Sequence, residues 1–124
     1  MEKVDQHLIE SMKALVKTEP ENYLEDYVYL TYDYAWFVAE EGRYEEVADL
    51  LKESLDGLIQ MKTVFKDSYV QTDILQDMAL GYHDLMIETA EGGYYELALE
   101  VREWIQKMLD TYGIKIKNKW EVIG

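Results

Sequence analysis

The chain has 124 residues, 48% of them hydrophobic, and a formal net charge of −14. That size and apolar content suit one folded domain with its own core rather than a disordered acidic chain. The charge argues against nucleic-acid backbones and anionic membranes as direct partners, because both are repelled. The absence of Cys removes disulfides, thiolate chemistry and Cys-based zinc sites. That absence also makes a cytoplasmic setting the expectation, and the opening MEKVDQHLIESMKALVK lacks the continuous apolar run of a signal peptide or membrane span.

Apolar spacing is helical almost throughout, and Pro occurs once. Val4, Leu8, Ser11, Met12 and Leu15 share one face of a first helix. Thr18-Glu19-Pro20-Glu21 then reads as a helix start, with Thr18 as cap, Glu21 closing a capping box and Pro20 in the first turn. The second helix is predicted over Glu19–Glu41, where Gly42 stops it. A third begins near Tyr44 and carries Val47, Ala48, Leu51, Leu55 and Leu58, with Gly57 inside it. Ser68-Tyr69-Val70-Gln71 offers a second capping box, opening a fourth helix that ends at Gly92-Gly93. The fifth carries Leu97, Ala98, Val101, Trp104, Ile105, Met108 and Tyr112, with Gly113 as its C-cap.

The segment GRYEEVA at Gly42 returns fifty residues later as GGYYELA at Gly92, pairing Gly42 with Gly92, Tyr44 with Tyr94 and Ala48 with Ala98. The expected fold class is therefore all-α: about five antiparallel helices, arranged as two stacked helical hairpins behind an N-terminal helix. Residues 1–113 form the helical domain and residues 114–124 a short extended tail. EEGRYEEVADLLKESL resembles the turn and second helix of a tetratricopeptide repeat, with Gly42, Tyr44 and the Ala48 region near that family's Gly, Tyr and Ala positions. The period of 50 is longer than the family's period of about 34, Ala48 falls one place late, and no Pro closes either unit. The resemblance, to TPR-like hairpins, implies a protein that binds peptide segments along the first helix of each hairpin.

At the fifty-residue offset, Val70, Ile74, Met78, Tyr82, Leu85 and Thr89 align with Pro20, Leu24, Val28, Tyr32, Ala35 and Ala39, the expected shared core face. A second stripe, Asp73, Asp77, Leu80, Asp84, Glu88 and Glu91, aligns with Tyr23, Tyr27, Leu30, Tyr34, Val38 and Glu41. No Lys or Arg occurs between Lys17 and Arg43, or between Lys66 and Arg102. Tyr supplies contact area at low entropic cost and carboxylates select Lys and Arg, so Tyr23, Tyr27, Tyr34, Asp73, Asp77, Asp84 and Glu88 are the predicted partner-binding residues. The competing reading makes the tyrosines half-buried core residues and the acids a solvated face.

No enzyme is expected. Phosphate loops, nucleophile elbows and His–carboxylate motifs are missing from the sequence. His7 and His83 are far apart in sequence, and the Glu-x-x-His pairs of a di-iron site are absent. No metal or cofactor is therefore expected. The predicted function is a protein–protein interaction module, an adaptor or regulator, for a basic segment of another protein. The alternative is an acidic inhibitor, either a toxin-immunity protein or a DNA mimic. The tail IKIKNKWEVIG carries +2 against −16 on the body and alternates Ile with Lys, an extended pattern. It resembles the predicted ligand, and is expected to dock on an acidic face of its own chain or of a neighbour's, the latter giving a homodimer.

Overall fold

A computed structural model of the chain describes residues 6–65 and 72–114, with backbone alone for 72–74. Five helices account for nearly all of them: α1 Gln6–Thr18, α2 Pro20–Glu40, α3 Tyr44–Val64, α4 Thr72–Glu91 and α5 Tyr95–Tyr112. The fold is all-α, and no strand occurs among the described residues. The second capping box, at 68–71, and the tail beyond Ile114 lie outside them.

Short glycine turns make α2 antiparallel to α3, and α4 antiparallel to α5. Each turn needs one residue of positive φ, where a Cβ is strained. Gly42 has φ +76° and Gly93 has φ +101°. Gly42 N–H donates to Ala39 C=O and Arg43 N–H to Val38 C=O; Gly93 and Tyr94 repeat this onto Ala90 and Thr89. Gly113, also left-handed, ends α5 in the same manner and folds Ile114 back into the core. At the other boundary, Thr18 does not cap α2. Its hydroxyl donates to Leu15 C=O inside α1, and Glu19 holds the N-cap position without a side-chain cap bond.

These turns set the structural repeat at 51 residues, Gly42 to Gly93, not 50. The buried residues agree. Leu24, Val28, Ala35 and Val38 fall on Leu75, Ala79, Met86 and Thr89, every one buried. The doublets Gly92-Gly93 and Tyr94-Tyr95 make both offsets score in sequence. Gly93 takes the left-handed turn, whereas Gly92 lets the Tyr44 ring approach, because a Cβ there would meet Tyr44 at 2.5 Å. Tyr44 is thus covered by the second hairpin. Its true counterpart, Tyr95, is 66% exposed because no third hairpin follows in the described chain.

The core lies between the hairpins, where α3 packs on α2 and α5, and α4 packs on α5. Leu51, Leu55, Leu58, Leu85 and Met108 are essentially closed to solvent, each worth about 1.5–3 kcal/mol of burial. Gly57 gives α2 its close approach, with Val28 lying where a Cβ would be. The first helix corrects its predicted face: Leu8 and Leu15 are exposed, while Ile9, Met12 and Val16 point inward. Met12 keeps its predicted place and Ile9 and Val16 join it in an i, i+3, i+7 set, which suffices because the backbone of α1 comes close to α2 alone. A groove of about 830 Å³ consequently opens between α1 and α3, crossed by a 2.7 Å Lys13–Glu53 ion pair. No helix among the described residues is long and apolar enough to cross a membrane.

Candidate functional site

On α2, Glu25, Tyr29, Tyr32 and Trp36 stand at i, i+4, i+7 and i+11, a single stripe along the helix. Its three rings are half-buried. Tyr32 is the centre. Its ring meets Tyr82 of α4 edge-on at 4.9 Å and Trp36 edge-on at 6.3 Å. Gly81 of α4 makes this possible, because a Cβ there would overlap the Tyr32 hydroxyl. A helical Gly costs roughly 1 kcal/mol against Ala; here the missing side chain makes room for the phenol.

Carboxylates surround that phenol. Burial pushes the Tyr32 pKa up, the Trp36 indole N–H acts the other way, and Asp33, Asp84 and Asp77 each add to the rise. Tyr29 is likewise raised by burial and by Glu25. Both rings therefore stay neutral donors facing an acidic field. Asp33, Asp77 and Asp84 are exposed, and the buried His83 places Nδ1 4.0 Å from the Asp84 carboxylate.

Charge is segregated by helix. Together α2 and α4 carry ten carboxylates and no Lys or Arg. The cations of the described residues sit on α1, α3, α5 and the first turn, and most are engaged there. Lys13 binds Glu53, Arg43 binds Glu41 and Glu46, and Lys52 binds Glu100. Lys62 lies over Tyr112 and Lys107 over Trp104.

Of the residues predicted from sequence, Asp77 and Asp84 lie beside Tyr32, and Glu88 follows on the same helix, partly exposed. Asp73 falls where only the backbone is described. Tyr27 and Tyr34 require correction, being 5% and 3% exposed. The Tyr27 hydroxyl donates to Glu53 at 2.6 Å, and burial followed by that carboxylate drives its pKa up. The Tyr34 ring stacks on Phe37 at 5.8 Å. Both rings are core, covered by the chain itself. Tyr23 is partly exposed but stands nine residues from Tyr32, about 180° round the helix. Tyr29, Tyr32, Asp33 and Trp36 are the open or partly open residues of α2 on the Tyr32 side. The i, i+3, i+7 run of rings was their signal in the sequence, read there in part as core through Tyr32.

The α1–α3 groove mixes Lys13, Lys17 and Lys52 with Glu10, Glu46, Asp49 and Glu53, and so selects no one charge. No grouping of His and carboxylates suited to a metal ion occurs among the described residues. No family model, curated protein or solved structure matches the chain.

Asp33 is exposed as a residue, yet partial desolvation of its carboxyl raises its pKa. A carboxyl whose folded pKa lies above its unfolded value destabilises the fold once ionised, and that penalty is relieved as pH falls toward the carboxylate range. Asp33→Asn is therefore expected to raise the neutral-pH melting temperature slightly, by half a kcal/mol or less as is usual (roughly) for surface positions. Its advantage over wild type should shrink on acidification. A lower melting temperature at pH 7 would show that Asp33 is held by a favourable partner instead.

Proposed function

We propose that this protein is a non-enzymatic interaction module that binds a basic, aromatic-containing segment of another protein along α2 and α4. The observation that carries the reading is the charge segregation: ten carboxylates and no Lys or Arg on α2 and α4, three of them acting on Tyr32 where the two helices meet. Tyr29, Tyr32 and Trp36 would offer faces for cation–π contact and stacking, and Asp33, Asp77, Asp84 and Glu88 would pair with Lys or Arg. The resemblance to TPR-like hairpins, whose first helices hold peptides, supports the same faces. A DNA mimic needs arrayed charge but no aromatic stripe, so the rings favour a peptide over that alternative.

The test is titration of a synthetic peptide alternating Arg with Phe against the full chain at two salt concentrations. Asp77→Asn/Asp84→Asn should weaken it by about two- to thirty-fold at low salt, taking ~0.2–1 kcal/mol for each exposed pair. The salt dependence should flatten with it. Equal affinity of the double variant and wild type would remove the acidic helices from the binding site.

A further inference from the structure

The face just described has a ligand of matching chemistry in the same chain. Residues 115–124, KIKNKWEVIG, lie outside the described residues; they hold three Lys, one Glu and a Trp. The described chain ends at Ile114, buried against α5 by its hydrogen bond to Leu109 C=O. That end of α5 is fixed over α3, because the Tyr112 hydroxyl donates to Leu58 C=O at 2.6 Å. Leu58 neighbours Gly57, which packs on Leu24 and Val28 in the first half of α2. Since α5 runs antiparallel to α4, the tail leaves at the end of the bundle where α2 and α4 begin. Ten residues reach up to about 35 Å when extended, and a twenty-residue helix is about 30 Å long. The tail can therefore cover Asp77 and Asp84 without moving any helix.

We propose that residues 115–124 dock in cis across α2 and α4, with Lys115, Lys117 and Lys119, which share one side of an extended segment, toward Asp77, Asp84 and Asp33. The tail is then an internal competitor for the face, and the proposal rests on the function proposed above. A tethered segment acts at an effective concentration near a millimolar. A tail with intrinsic affinity around 100 µM would lower apparent affinity for an outside peptide by about tenfold. The partner best able to displace it is a segment carrying more cations, or more rings, than the tail itself.

The chain has no Cys, so Asn118→Cys gives one site for a nitroxide label on the full-length protein. Docking predicts paramagnetic broadening of amides around Tyr32, Trp36, Asp77 and Asp84, lost in the Lys115→Glu/Lys117→Glu/Lys119→Glu variant. That variant, unlabelled, should bind the Arg–Phe peptide about tenfold more tightly. Broadening confined to the end of α5, or spread over its outer face at Tyr95 and Leu99, overturns the docking proposal. If the broadening is absent while the Arg–Phe peptide still binds, docking fails and the interaction face stands. If the peptide binds neither protein, the interaction face itself fails.

Discussion

Tyr82→Ala is expected to cost about 3–5 kcal/mol, the range for deleting a fully buried aromatic ring. Total stability is about 5–15 kcal/mol for a domain, so this variant loses a large part of it, and at the lower end of that range it reaches its unfolding midpoint. Tyr82 is fully closed to solvent and joins three helices. Its ring, on α4, meets Tyr32 of α2, and its hydroxyl lies 2.7 Å from Ser54 Oγ of α3. Ser54 spends its single proton on Val28 C=O at 2.9 Å, so Tyr82 is the donor in their shared bond. Tyr82→Phe keeps the ring and leaves the Ser54 donor satisfied, and should cost only about 1 kcal/mol. Urea denaturation of the two variants separates ring from hydroxyl. A loss under 1 kcal/mol for Tyr82→Ala would mean that the ring does not hold α2, α3 and α4 together.

The fold was legible because every helix carries an apolar stripe and the two tight turns carry glycine at the left-handed position. Leu24, Val28, Ala35 and Ala39, with Met78, Tyr82, Leu85 and Thr89, are core in the structure as in the sequence reading. The site was only half legible, and the reason is one residue of register. At an offset of 50, Tyr27 aligns with Asp77 and Tyr34 with Asp84, which sets core rings opposite exposed acids. At 51, Asp77 and Asp84 align with Asp26 and Asp33, exposed acids like themselves. Advancing one residue turns a helix by about 100°, enough to exchange a buried face for an open one. Sequence identity could not arbitrate, because the doubled Gly and the doubled Tyr satisfy either offset. The positive φ of Gly93 and the Tyr44 ring on Gly92 do arbitrate.

The same sensitivity explains α1. Leu8 and Leu15 make as regular a stripe as Ile9, Met12 and Val16, and periodicity alone cannot say which one meets α2. Amphipathic rings compound the difficulty on α2, where six Tyr or Trp residues divide between core and surface. Tyr27 is buried because Glu53 accepts its hydroxyl from the neighbouring helix. Tyr32 stays half-open, with its hydroxyl seated in the space that Gly81 leaves. Neither circumstance is visible along one helix; both depend on what the next helix lacks or offers.

Trp36 separates the two assignments of the face most sharply. Its ring lies at the open end of the stripe, edge-on to Tyr32, and its removal leaves Tyr32 seated over Gly81. Tyr32 itself is a poorer probe, since its loss also strips a ring contact from the buried Tyr82. Large rings that a partner buries in a recognition patch commonly carry about 2 kcal/mol or more when truncated. Trp36→Ala should therefore weaken the Arg–Phe peptide by roughly thirty-fold, beyond any loss of stability, which urea denaturation measures separately because the ring also packs on the core. Tyr23→Ala removes a partly exposed ring from the opposite side of the same helix, and should leave affinity within about two-fold, as for a residue outside the contact. Calorimetric titration of both variants decides the face. If Tyr23→Ala matches or exceeds the loss at Trp36, the binding surface runs down the other side of α2, and the aromatic stripe with Tyr32 belongs to packing alone.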